Sequence, residues 1–341
     1  MTRAPALSVL DLVPFVEGGT STAALRAAAD LARAVDRLGY TRLWYAEHHN
    51  MPGIATTTPE ILIAHVAPLT TRIRVGAGGV MLPNHSALKV AESYKLLEAL
   101  HPGRIDLGIG RAPGTDGRTA LALRRSRHSI GADDFLEQLG ELMAWGGGTF
   151  PADHPFSAVR AMPDDRPLPA IYILGSSDYG AKLAGELGLG FAFAGHFSQD
   201  PPELPMRAYR AGFTAPAHAT PRAEPYAILA LSVFCADTYE AAERMASSMR
   251  LSFVQLRAGR PGRLPHPDVA TAHVFSPDEQ GIADFFADLQ IVGTPERVRV
   301  QIADAVARTQ ADEVMIVTHA FDPAARLRSY ELVAEAFGLS A

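Results

Sequence analysis

RLWYAEHHNMPGIATTTPEILIAHVAPL, residues 42–69, carries two secondary-structure signals in one short stretch. Residues 42–47 form an apolar, aromatic-rich run of strand character, and Thr58 followed by Pro59 marks a helix start. Proline suits the first helical position because the N–H it lacks would find no partner inside the helix anyway. A strand running into a helix is one βα unit. Between the two signals stand Glu47, His48 and His49, three ionisable residues at the C-terminal end of the strand. They could be metal ligands, a base beside a cofactor, or ordinary polar residues on a turn.

The same unit recurs along the chain. Strand-like runs lie at 6–12, 42–47, 73–79, 104–110, 170–175, 190–195, 226–234 and 313–319, which makes eight, and helical stretches with Thr/Ser starts and a Gly stop at Gly39 follow most of them. Eight βα units without a composition break predict one domain spanning 1–341. The α/β architecture expected is a (β/α)8 TIM barrel with insertions after strands 4, 6 and 7, and its site would lie at the C-terminal ends of the strands. The insertions fall at about 111–169, 197–225 and 250–293. The last contains a Pro- and Gly-rich stretch, 256–281, that reads as a lid or as a plain surface excursion. A doubly wound nucleotide-binding sheet fits less well, because the third glycine of its fingerprint would fall on Pro113 in one match and on Met81 in the other.

Composition narrows the function. With 48% apolar and 20% charged residues the chain is globular, and its net charge of −6 is spread without long like-charge blocks. Neither a nucleic-acid footprint nor a membrane-surface patch is visible, and no run approaches the roughly 20 apolar residues of a membrane span. A cytoplasmic protein acting on a small molecule is expected. Cys235, the single cysteine, excludes an intramolecular disulfide and every multi-cysteine metal pattern.

In a barrel the strand ends face one another across the mouth. The second strand delivers Glu47-His48-His49, the third Gly78-Gly79, the fourth Gly110-Arg111, the fifth Ser176-Ser177, the sixth His196 and the eighth His319. Adjacent strand residues diverge, so His48 and His49 do not form the paired ligands that His-x-His offers a metal, and no metal site is expected. Gly78-Gly79 lets a flat ligand approach the main chain or simply makes a tight turn. Arg111 suits an anionic group. GSSDYGAKLAGELG, 175–188, combines hydroxyls with a helix start, which is a phosphate cradle or ordinary capping by Ser177 or Asp178.

Taken together these residues describe a phosphate anchor, a flat platform and an imidazole. Residues 45–116, YAEHHNMPG through IGRAPGTD, resemble the bacterial luciferase-like monooxygenases, and LGSSDYGAKLAGELGLGFAFAGHF, 174–197, is similar to a second signature of that family. The resemblance implies a flavin-dependent (β/α)8 enzyme. Reduced FMN, supplied by a separate flavin reductase, would react with O2 to a flavin 4a-hydroperoxide that transfers one oxygen atom to an organic substrate. His48 would be the catalytic base with His49 supporting it. Glu47, Gly78, Gly79, Gly110, Arg111, Ser176, Ser177, Tyr179 and Gly180 would hold the cofactor, with a cis peptide at Gly78-Gly79. Related barrels use a deazaflavin for hydride transfer, others bind flavin without turnover, and a homodimer is the family's usual assembly. Two departures stand out: Asp178 puts a carboxylate beside the phosphate, and Gly195 stands where luciferase has an aromatic ring.

Overall fold

The computed structural model describes residues 5–124, 134–215 and 223–340. Its strands are β1 (Ala6–Asp11), β2 (Arg42–Tyr45), β3 (Arg74–Met81), β4 (Ile105–Gly110), β5 (Ala170–Gly175), β6 (Gly190–Phe193), β7 (Ala227–Cys235), β8 (Gln290–Gly293) and β9 (Glu313–Val317). Every pairing is parallel, and β1 through β7 with β9 close into an eight-stranded ring. The eight strands expected from sequence are the eight staves of this barrel. The ninth, β8, was not foreseen: QIVG is too short to show an alternation and directly follows a helix. It pairs with the upper part of β7, from Ser232↔Gln290 to Cys235↔Gly293, whereas β6 takes the lower part, from Phe191↔Ala227 to Phe193↔Leu229.

The period-2 alternation of the strands separates two cores. Outward residues such as Leu43, Tyr45, Val75, Ala77, Ile105 and Leu107 pack in the large core between sheet and helices. Inward residues form a smaller cluster of Leu10, Trp44, Ala46, Tyr172, Ala192, Ile228, Ala230, Met315 and Val317. Leu10, Trp44, Ala46, Gly78, Ala192, Ala230, Met315 and Val317 form the inner wall that lines the hollow mouth of the barrel.

The floor is polar. Arg42 donates to both oxygens of Glu313 at 2.7 and 2.9 Å and to Asp106 at 2.7 Å, while Arg74 and the Trp44 indole also donate to Asp106. The Ser8 and Tyr226 hydroxyls complete the shell of Glu313. Burial disfavours the Arg42 charge, but the facing carboxylates more than compensate and hold the guanidinium protonated.

Proline placement explains the connections. Helices Pro59–Val66, Pro267–Ala272, Pro277–Asp288, Pro295–Thr309 and Pro323–Phe337 all begin on proline. The Pro-rich stretch 256–281 is for this reason partly helical: it leaves the end of helix Tyr239–Arg257, contains Pro267–Ala272, and enters Pro277–Asp288 through a Ser276/Glu279 capping box. It is also tied down, since Leu264 exchanges backbone hydrogen bonds with Phe15 and Glu17, both at 2.9 Å. Among the described residues, no helix is long and apolar enough to cross a membrane.

Candidate active site at the barrel mouth

A cavity of about 730 Å³ opens at the C-terminal ends of the strands, within the range of small-molecule sites. His48, Gly78, Gly110, Arg111, Ser176, Ser177, Tyr179 and Gly180 line it. Glu47 and Gly79, expected among the residues that hold the cofactor, and His49, expected to support His48, do not. Strand parity is the reason. Arg42, Trp44, Ala46 and His48 share the inward face of β2 and its extension, so Glu47 and His49 point the other way.

Glu47 is instead a buried clamp behind the site. Its backbone N–H donates to the Gly79 carbonyl at 3.2 Å, and its carboxylate accepts from the Met81 N–H at 2.9 Å. His49 and His85 each bring Nε2 within 2.9 Å of the same carboxylate, and Asn84 donates to it at 3.3 Å. Burial alone would raise the Glu47 pKa, but these bonds, His85 foremost, outweigh it and leave the group below its ordinary value. The same contact raises His85 despite its burial. Around the Gly79 contact, β3 makes three steps from Ala77 to Val80 while β4 makes two from Leu107 to Ile109. This is a one-residue bulge carrying Gly78 and Gly79, whose shared peptide is cis. A Cβ on Gly79 would stand 2.7 Å from the Gly108 carbonyl oxygen, which requires glycine there.

Three imidazoles share the cavity: His48, His196 and His319. Burial is the main cause that lowers His48 to about 4, His196 to about 3 and His319 to about 4. Charge on His48 and His319 would further oppose charge on His196, and Arg326 opposes it on His319. All three are therefore neutral at pH 7. The Nδ1 atoms of His48 and His196 are buried without a hydrogen-bond partner, an unusual state for a polar atom.

An acid dependence of stability follows, with its sign fixed by linkage. The folded-state pKa values of these imidazoles lie below the ordinary 6.5, so their contribution is complete above about pH 6.5 and is lost as pH falls toward 4, where the unfolded chain binds protons that the folded one refuses. His85, with its raised pKa, acts in the opposite sense but is one group against three. The melting temperature should fall between pH 6.5 and 5, above the range where carboxylates titrate, and less steeply in His196→Phe. A flat profile in both proteins would contradict the neutral cluster.

At another part of the rim, Arg111 lies over the Tyr179 ring, with Cζ 4.3 Å from its centroid. Beside it, helix Asp178–Glu186 begins after Ser177, whose hydroxyl makes no capping bond, so the first N–H groups of the helix stay available. A Cβ on Gly180 would lie 3.4 Å from the Gly175 Cα, so the helix start sits close on β5. Asp178, the apparent misfit beside a phosphate, does not line the cavity; it pairs with Lys182 at 3.5 Å along the helix. The Arg111 loop is also fastened to the His48 loop. The His49 N–H donates to the Gly114 carbonyl, the Thr115 hydroxyl to the His49 carbonyl at 2.8 Å, and the Asn50 amide to Asp116 at 3.0 Å.

Sequence reasoning put His196 and His319 at strand ends but gave them no role; continuing the inward parity of β6 and β9 would have found both. It read 256–281 as a lid candidate but did not assign the helix ahead of it to the roof of the cavity. Met249, Ser252, Phe253, Leu256 and Arg257 line the cavity from one helix at i, i+3, i+4, i+7 and i+8 spacing, and Phe253 stacks on Phe286 at 3.9 Å with 9° between the planes. Gly195 does not line the cavity, whereas His196 and Phe197 do, with their rings edge to face at 4.7 Å.

Comparison with known proteins places nearly the whole chain among relatives of one family. A family model described as luciferase-like monooxygenase matches residues 8–313. A luciferase-like monooxygenase of Escherichia coli K12 is 42% identical, with 96% of this chain and 95% of that protein aligned. An N-acetyl-S-alkylcysteine monooxygenase of Bacillus subtilis strain 168 is 35% identical, with 97% of each protein aligned. The crystal structure of apo-MsnO8 is similar with a TM-score of 0.84 and 37% identity, covering 99% of both chains.

Proposed function

The chain belongs to the luciferase-like monooxygenase family, and from that premise we propose that it is an FMN-dependent, two-component monooxygenase that inserts one oxygen atom from O2 into a small organic substrate. The observation that carries this reading is a single, largely apolar cavity with a phosphate-type anchor on one wall and a neutral imidazole bearing an unpartnered Nδ1 on another. The residues present fit a flavin mononucleotide. The Arg111 guanidinium, the free helix-start N–H groups and the Ser176 and Ser177 hydroxyls would take its phosphate. Gly78, lining the cavity with no Cβ, would let its ring lie against the main chain.

Reduced flavin, when bound, supplies the electrons that activate O2. The chain's own part is to position, to exclude water and to handle protons. His48, neutral at working pH, can hold or pass a proton on its imidazole at the cavity wall. Glu47 acts at one remove by clamping the bulge on which Gly78 sits. Phe253, Phe286 and Met249 screen the cavity from bulk water. A separate flavin reductase would furnish the reduced cofactor, since the chain has no nicotinamide fingerprint. The named activity of the B. subtilis relative supports a substrate of small organic type.

The test is anaerobic titration with reduced FMN followed by admission of oxygen. Arg111→Ala should bind FMN roughly 10–100-fold more weakly, as expected when a charge-assisted phosphate contact is lost. Equal affinity in the two proteins would remove the anchor assignment. Substrate oxidation with a deazaflavin and without oxygen uptake would turn the reading to hydride transfer.

A further inference from the structure

No Asp or Glu lines the mouth cavity, yet two arginines do, Arg111 and Arg257, and neither has an ion-pair partner among the described residues. Of the other roof arginines, Arg244 pairs with Asp268, Arg250 with Glu243 and Arg260 with Glu279, while Arg263 lies over the Phe15 ring and does not line the cavity. Arg257 is different because of where its helix ends. It occupies the last turn of Tyr239–Arg257, on the face that presents Met249, Phe253 and Leu256 to the cavity, and its Cζ lies 5.9 Å from the Phe286 ring centroid. Arg111 follows β4 and the Arg257 helix follows β7, three strands further round the ring. One cavity therefore has two separate cationic points, and the second stands over a stacked aromatic pair.

We propose that Arg257, together with the Phe253–Phe286 stack, recognises the anionic group of the substrate, so that this enzyme acts on apolar molecules carrying a carboxylate or a sulfonate. The assignment rests on the flavin reading only in leaving Arg111 to the cofactor phosphate. A guanidinium on an aromatic face is a low-cost way to hold an anion at an apolar rim, because its planar donors stay exposed while its stem and face are packed. The apolar part of such a molecule would lie along Met249, Leu256 and the stacked rings, and the neutral histidines would face it from within the barrel.

Calorimetric titration of the wild type with octanoate, octane-1-sulfonate and octan-1-ol tests this directly and separates the two kinds of anion. At least one of the anions should bind roughly tenfold tighter than the alcohol, in line with the contribution of a single charge-assisted contact. Arg257→Met should erase that preference while leaving octan-1-ol affinity unchanged, and Arg257→Lys should retain part of it. Equal binding of acid and alcohol by the wild type, absence of binding by all three, or persistence of the preference in Arg257→Met would each overturn the proposal. Loss of the preference in Arg111→Met but not in Arg257→Met would reassign it to the other arginine. FMN titration of the same samples keeps the two readings apart. Normal FMN binding without an anion preference refutes only the Arg257 site, and an anion preference without FMN binding refutes only the flavin reading.

Discussion

Replacing His48 by phenylalanine is expected to lower oxygenation turnover by roughly 10²–10⁴-fold, the usual contribution of a positioned acid–base group. FMN affinity should change little. Phenylalanine keeps the shape and most of the packing of the imidazole while removing both ring nitrogens, so the variant separates proton handling from cavity filling. Since burial holds His48 at about 4, its loss should act across the neutral range and not only on one side of a titration. The comparison with His49→Phe is informative because that change acts elsewhere: it removes a partner of the buried Glu47 carboxylate and should appear mainly as lost stability. Single-turnover oxygen uptake with product analysis would decide. Wild-type turnover in His48→Phe would end the base assignment.

The second large effect is structural. Arg42→Met should cost roughly 3–5 kcal/mol, because it leaves Glu313 and part of the Asp106 shell as buried charge without its counter-ion. Both carboxylates are fully buried, and Arg42 spans them with bonds of 2.7 to 2.9 Å. Asp106 keeps Arg74 in the variant; Glu313 keeps only neutral hydroxyls, so the damage falls chiefly there. The double variant Arg42→Met/Glu313→Gln should accordingly recover much of the loss, which a simple packing defect would not do. Chemical denaturation of the wild type and the two variants measures this. Equal destabilisation of single and double variants would show that the floor is held by shape and not by charge.

The barrel was legible because its signal is local. Each stave is a short apolar run with a helix start close behind, and a reader needs only a window of a dozen residues to see it. Proline at the first helical position marked Pro59 correctly as a helix start. The same rule, applied to Pro267 and Pro277, would have shown that the roof is helical. The choice between His48 and His49 was also local, a matter of counting by twos from Arg42. What the letters hid were partnerships across distance. Glu47 looked like a ligand because it stands beside two histidines, but its role is fixed by Met81 and His85, 34 and 38 residues away. The floor joins Arg42 to Glu313 across 271 residues, and nothing at either strand start announces the other. Asp178 misled in the opposite way, since its Lys182 partner was one helical turn away and in plain view.

The pairing of β8 with the upper half of β7 has a consequence for how such an enzyme can change. The roof leaves the barrel at Cys235 and returns at Gly293, and those two residues are register partners, closed by the Ala236 N–H donating to the Gly293 carbonyl at 3.1 Å. Everything between them is a loop whose neck is already shut, so its length and content can vary at a conformational cost that grows only logarithmically. The loops after β2 and β4 are fastened to each other and not to this neck. The roof is thus a replaceable cartridge: a lineage could exchange the segment carrying Phe253, Arg257 and Phe286, and inherit new substrates while the oxygen chemistry below passed down unaltered.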